Sequence, residues 1–484
     1  MNSKFGLSTQ GIIVSGIVLA LSSCANINTH NNDAIQKNQG LSGEIILDPE
    51  NLAAPEQWRN SLNKLKSAGS WLNNFHDPLL IKTVEIALAN NYQLKQQALA
   101  VDIKKRQLLN ADASFWPDIS TNLSTARSKN SNISTSASLS LKVKYEVDLW
   151  GKLSASEQKA NLDWLSQQAN FEQAQLQLVV TTITAWYNAV AAEKLLSLNV
   201  QRSNNTQQNL DIIESGYKQG LNSSLDVYLT RNELNSALAR VAELKQNVLE
   251  AKHRLEILMG KYPAADILLS AQLLEIDTAL SLDAPISILQ RKPSLRASWY
   301  QLLASDAALA FAHKQRFPSF SLSASLSDNQ SKLSNLLSGS SLAWSLLGNI
   351  SAPLFQAGRL RNNEEIARLT LRQQEQNYLD KVYQAFSDVE NAISAETSLQ
   401  QRALLQQRAG ENAQTAYQLS FEQYQQGLVN YSTVLDAQNR WFDAQSSVIQ
   451  IQNKLITNRV NLNLALGGSY LNPLSSKPAV VAIK

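Results

Sequence analysis

From Ile133 to Leu149 the chain alternates in side-chain character almost without error. Ile133, Thr135, Ala137, Leu139, Leu141, Val143, Tyr145, Val147 and Leu149 fall on one face of an extended strand; Ser134, Ser136, Ser138, Ser140, Lys142, Lys144, Glu146 and Asp148 fall on the other. At about 3.3 Å per residue the run spans about 56 Å, far beyond an ordinary globular strand. A soluble, half-buried sheet would alternate too. Here, however, the apolar face carries no charge over its whole length while serine fills the other, which is the two-residue pattern of an outer-membrane barrel strand.

Three further segments behave alike. Ile119 to Thr125 alternates more briefly and is the expected hairpin partner. Phe320, Leu322, Ala324 and Leu326 alternate with Ser321, Ser323, Ser325 and Ser327, and after a Ser/Asn-rich loop Trp344, Leu346, Ile350, Ala352 and Leu354 alternate with smaller or polar residues. The chain therefore offers four amphipathic strands.

These strands belong to an internal repeat. Tyr217-Lys218-Gln219-Gly220-Leu221, with Val227 beyond it, recurs 207 positions later as Tyr424-Gln425-Gln426-Gly427-Leu428 with Val434; the same offset carries Leu255 and Gly260 onto Leu462 and Gly467. Phe115-Trp116-Pro117 matches Arg316-Phe317-Pro318. Two copies of one structural unit follow.

Helical stretches flank the strands. Asp77 to about Ser114 reads as a helix, with Leu80, Val84, Leu88 and Leu99 among its apolar positions, and Pro117 ends it. After each hairpin comes a far longer one, Lys152 to Gln219 and Arg359 to Gln426, whose interior glycines are Gly216 and Gly410 respectively. At 1.5 Å per residue each could extend about 100 Å. Both end at a Gly-Leu turn, Gly220-Leu221 and Gly427-Leu428, where glycine suits a helix C-terminus. Return helices are expected from Leu225 to Met259 and from Thr433 to Leu466. Spacings such as Leu176, Val179, Ile183, Trp186 and Val190 support side-to-side packing.

The N-terminus reads as a secretory signal, with Lys4 followed by an apolar stretch from Gly11 to Leu21. Leu21-Ser22-Ser23-Cys24 resembles a bacterial lipobox, and Cys24 is the sole cysteine. Processing there would leave Cys24 carrying an N-acyl chain and an S-diacylglycerol. At roughly 0.8 kcal/mol per buried CH₂, several such chains hold a protein firmly on a membrane. Ala25, rather than Asp, follows the cysteine, a pattern similar to that of lipoproteins sorted to the outer membrane. Residues 1–23 are thus the signal, and the Asn/Gly-rich residues 24–56 a tether.

Other classes fall away. The formal charge of +3 is too small for a nucleic-acid binder. One cysteine excludes a disulfide framework, and no other stretch has the 18 to 20 apolar residues of a spanning helix. His30, His76, His253 and His313 are scattered singly, which gives no zinc site. Gly151-Lys152-Leu153 lacks the context of a phosphate loop, and no serine sits in a Gly-x-Ser-x-Gly turn. No enzyme, metal or soluble cofactor is expected.

Four strands cannot enclose anything, and an open sheet edge facing lipid leaves backbone groups unsatisfied at several kcal/mol each. Copies of the chain must therefore close the sheet, with two, three or four giving 8, 12 or 16 strands. The competing class is a non-conducting, lipid-anchored coiled-coil tether, which suits the helices but not the strands.

Several motifs, in order and twice over, resemble the TolC-like outer-membrane efflux proteins, particularly their NodT or OprM-type lipoprotein branch. They include Phe75-His76-Asp77-Pro78-Leu79-Leu80, Tyr145 to Lys152, Arg291-Lys292-Pro293, Phe317-Pro318-Ser319, Leu354 to Arg359, Asn430-Tyr431 and Leu435-Asp436-Ala437-Gln438. The resemblance implies a mainly α protomer with membrane β: a homotrimer with a 12-stranded β-barrel continued by an α-helical barrel. It implies a passive exit duct for drugs or other small molecules, served by a periplasmic membrane-fusion adaptor and an inner-membrane pump of the RND type. A duct for type I protein secretion is the nearer alternative. The two repeats are placed at 57–265 and 266–470, with a tail at 471–484. By the same resemblance the periplasmic constriction falls near Asp226, Tyr424, Thr433 and Asp436. An Asp repeated by symmetry would form an anionic ring that favours cations, although Asp226 and Asp436 could equally be solvated helix caps. Where some family members carry an arginine after the turn glycine, this chain has Val429, and Thr433 stands where a second aspartate would; packing of Tyr424 or Tyr431 is then expected to hold the closed tip.

Overall fold

The computed structural model describes Trp58, Leu72 and residues 75–131, 133–270, 272–273, 285, 287–337 and 341–468. The signal, Cys24, the tether and the tail lie outside the described residues. Two compact units emerge. One is made of Phe115–Lys159 and Leu303–Leu371; the other contains residues 75–114, Ala160–Leu302 and 372–468. Neither unit coincides with a sequence repeat, because each draws on both copies.

In the first unit four strands form one antiparallel sheet in the order β1 (Asp118–Lys129), β2 (Ile133–Val147), β3 (Ser319–Gln330), β4 (Leu342–Ser351). The register keeps the two faces apart over most of the sheet, the exceptions being Leu347 opposite Ser323 on the serine face and Asp328 and Gln330 opposite Leu139 and Ala137 on the apolar one. Ile119 pairs with Val143, Val143 with Ala324 and Ala324 with Leu346, while Thr121, Leu141, Leu326 and Trp344 form the next row. On the opposite face Ser124 meets Ser138 at 2.7 Å and Ser325 meets Ser345 at 2.8 Å between hydroxyl oxygens. The apolar face is not packed away within the chain: Trp344 is 80% exposed, and Ile119, Leu346 and Ile350 are exposed as well.

The expected strand lengths need correction at their ends. β1 is longer than foreseen, reaching Lys129. β2 stops at Val147 because Asp148 turns to cap the next helix, accepting hydrogen bonds from the Leu153 and Ser154 amides at 2.9 Å each. β4 stops at Ser351, short of Pro353, which has no N–H to donate to a ladder.

The helix expected from Asp77 to Ser114 is in fact two, α1 (Pro78–Asn90) and α2 (Tyr92–Asp112). Asp77 caps α1 by accepting from the Leu79 and Leu80 amides, and Asn91 caps α2 by accepting from Leu94. The break rotates the later residues off the apolar stripe, so Leu80 and Val84 are buried while Leu99 is exposed. α3 (Lys152–Lys218) and α4 (Ser224–Leu258) complete the first repeat; α5 (Ser287–Arg291), α6 (Pro293–Lys314), α7 (Arg359–Gln425) and α8 (Tyr431–Ala465) belong to the second. At 67 residues each, α3 and α7 extend about 100 Å.

The core of the helical unit gathers around the predicted stripe. Leu176, Val179, Ile183, Trp186 and Val190 are all buried, against Leu80 and Val84 of α1, Leu255 of α4 and Ile456 and Val460 of α8. Each such side chain contributes about 1.5–3 kcal/mol relative to exposure. The Trp186 indole N–H donates to Asp77 Oδ2 at 3.1 Å, so the residue that caps α1 also satisfies the polar atom of the largest core side chain.

The internal repeat is visible in how the return helices end. Gly260 follows α4 and lies against Asn90, at the α1/α2 break; Gly467 follows α8 and lies against Arg291 and Lys292, at the α5/α6 break. A Cβ on Gly260 would fall 2.7 Å from the Asn90 carbonyl oxygen, and one on Gly467 would fall 2.8 Å from Lys292 Cα. The Asn91 side-chain amide fastens the first junction by donating to Leu258 O at 3.0 Å.

Candidate gate at the helix turns

Both long helices end in the same backbone device. After α3, Leu221 N donates to Gly216 O at 2.8 Å and Gly220 N to Tyr217 O at 3.0 Å; after α7, Leu428 N donates to Gln423 O at 2.9 Å and Gly427 N to Tyr424 O at 2.9 Å. Gly220 (φ +74°) and Gly427 (φ +71°) supply the left-handed residue this arrangement requires. Leu221 and Leu428 remain exposed at the tips.

The return helices start differently. Ser223 and Asp226 form a reciprocal capping box: the Asp226 amide donates to Ser223 Oγ at 3.2 Å and the Ser223 amide donates to Asp226 Oδ2 at 3.3 Å. Asp226 is therefore a cap. In the second repeat Thr433 holds the equivalent position, exposed, and its amide donates to Asn430 O at 3.0 Å. Asp436 lies further along α8 and caps nothing; it accepts from Arg440 Nε at 2.9 Å, one turn on, with both side chains exposed.

Between the two turns lies a small apolar cluster of Ile213, Val227, Tyr431 and Val434, with Tyr417, Phe421, Tyr424 and Leu435 around it. Tyr424 and Tyr431 pack with ring centroids 5.2 Å apart. Burial pushes the Tyr431 phenol up to about 12. Burial, and then the nearby Asp226 carboxylate, also raise the Tyr424 phenol. Both rings thus stay neutral at physiological pH.

Asn222 escaped the sequence reading. Its amide donates to Ile213 O at 3.1 Å and its oxygen accepts from the Tyr424 hydroxyl at 3.0 Å, which links the two repeats at the tip. The signal was Gly216, a glycine inside a long helix: a Cβ there would fall 2.4 Å from Asn222 Nδ2. In the second repeat Val429 takes the place of Asn222, so the link is one-sided.

Arg202 of α3 was also missed. It donates to Glu233 of α4 at 2.7 Å and to Asn439 of α8 at 2.6 Å, lies 3.7 Å from an Asp443 oxygen, and sits over the Phe442 ring. One planar guanidinium thereby ties three helices together beside a cleft of about 500 Å³. Nothing short-range marks Arg202, since all its partners are distant in sequence.

The chain matches the family model described as outer membrane efflux protein over residues 83–261 and 284–468. It is 26% identical to the probable outer membrane lipoprotein SilC of Salmonella typhimurium, covering 89% of this chain and 97% of that one. It is 27% identical to the toluene efflux pump outer membrane protein TtgF of Pseudomonas putida, covering 84% and 87%. Among solved structures, CusC, described for its folding and transmembrane channel formation, superposes with a TM-score of 0.80 at 26% identity, covering 89% of this chain and all of that one. With a model match over most of its length, and with the sheet and helix turns laid out as above, this chain belongs to the outer membrane efflux protein family.

Proposed function

We propose that the chain works as a homotrimeric exit duct of a tripartite pump, passing small molecules from a periplasmic adaptor and an inner-membrane transporter of the RND type through the outer membrane. The observation that carries this reading is the sheet: one apolar face held in register over four strands, exposed, with β1 and β4 as its edges. Three copies joined edge to edge give 12 strands, greased outside and lined by serine within. The toluene efflux named for TtgF favours small solutes over secreted proteins. Cys24 would carry the lipid anchor.

Purified full-length protein reconstituted in liposomes should admit small sugars in a swelling assay and give discrete steps in planar bilayers. Intact trimers that neither swell liposomes nor conduct would overturn the duct reading in favour of a tether. Cross-linking in cells followed by purification should recover an adaptor and an inner-membrane pump. For the anchor, Cys24→Ala should remove the acyl mass from the mature protein.

A further inference from the structure

We infer that Arg127 and Lys129 form a docking patch for the phosphorylated headgroup of an outer-leaflet lipid. The inference rests on the duct reading, in which the apolar sheet face meets lipid. On that face the β2 side chains from Val147 to Ala137 cover five two-residue steps, about 34 Å along the strand and about 26 Å along the membrane normal at a tilt of about 40°. In the upper two rows β3 sets Asp328 beside Leu139 and Gln330 beside the buried Ala137. That height matches the roughly 25 Å apolar band of a barrel, with the polar β3 residues Asp328 and Gln330 at its outer rim. The next row up pairs Arg127 with Thr135, and the one above pairs Lys129 with Ile133. Both cations therefore point to the same side as the apolar rows, at the hairpin end, where the headgroups begin.

Among the described residues neither cation is committed elsewhere. Both are exposed, and no carboxylate among the described residues pairs with either. Thr135 donates to Ser331 O at 2.7 Å, which sets Lys332, also exposed, next in chain to the same row. The acidic residue of this face, Asp328, is buried and held by its own loop, accepting from the Ser341 hydroxyl and from Leu337 N at 2.8 Å. The surface beside the lipid is thus left with positive charge. An arginine fork with a lysine two residues on fits a phosphomonoester better than a zwitterionic headgroup.

Native mass spectrometry of trimers extracted from bilayers of phosphatidylcholine with one tenth phosphatidic acid tests this. Wild-type trimers should retain phosphatidic acid with about tenfold greater enrichment than the R127Q/K129Q variant. R127K/K129R should keep most of the enrichment, and K142S/K144S, changed on the serine face, should match the wild type. Equal enrichment in wild type and R127Q/K129Q overturns the inference while leaving the duct reading intact. Loss in K142S/K144S instead would mean that the sheet faces the other way, and absence of a trimeric mass in the wild type would remove the duct reading; either result takes this inference with it.

Discussion

The Tyr424 hydroxyl donates to Asn222 Oδ1 at 3.0 Å, joining the turn of one repeat to the last helical turn before the other. This bond has no twin, because Val429 cannot accept it. Opening the tip by moving the hairpins apart must break it. Tyr424→Phe should therefore shift the closed tip toward open by about 0.5–1.5 kcal/mol, up to about a tenfold change in open probability. Single-channel recording would read this, and an unaltered open probability would assign the closure elsewhere.

Asp436 and Arg440 largely cancel one another on the exposed face of α8. Asp436→Ala should lower cation preference, whereas Arg440→Ala should raise it by unmasking the carboxylate. The change is at most about fivefold, since exposed charges about 4 Å apart interact by only about 1 kcal/mol in water. Reversal potentials in a salt gradient distinguish the two variants. Unchanged conductance and selectivity in both would remove the gate assignment of Asp436.

Two classes of turn glycine should respond differently to alanine. Gly220→Ala forces a side chain into the left-handed region with open space around it, a loss of about 1–2 kcal/mol. Gly260→Ala and Gly467→Ala meet the same backbone penalty plus a clash with neighbouring main chain, adding about 1–3 kcal/mol. Thermal melts followed by circular dichroism should rank Gly220→Ala clearly above the other two; equal melting temperatures would contradict the packing at the helix junctions.

Tyr431 should titrate late. Its neutral phenol is favoured in the folded tip, so its stabilising contribution is complete below about pH 10 and is lost as pH rises toward about 12. Phenolate absorbance during an alkaline titration should show a late component that Tyr431→Phe diminishes. Tyr378, pushed up to about 12 by burial, Tyr187, raised by burial and then by Asp77, and Tyr424, raised by burial and then by Asp226, add to the late signal.

Much of the architecture was legible because it is local. A two-residue period allows one extended conformation with two distinct faces, and the four strands appear where that period runs. Glycine after a long helical stretch marked Gly220 and Gly427 as turns, because few other residues adopt their backbone angles at low cost. The misreadings were local too: a three- to four-residue period continues across Asn91, so only the cap it forms with Leu94 reveals that α1 and α2 are separate.

Tertiary structure alone decided the rest. The pairing of β2 with β3, the seating of Gly467 on Lys292, the Asn222 to Tyr424 bond and the three-helix hold of Arg202 each join residues more than 150 positions apart or several elements at once. Periodicity fixes which face of an element is apolar, since that depends only on geometry along the chain. Which partner covers that face depends on packing between segments far apart in the chain, and local periodicity carries no record of that pairing.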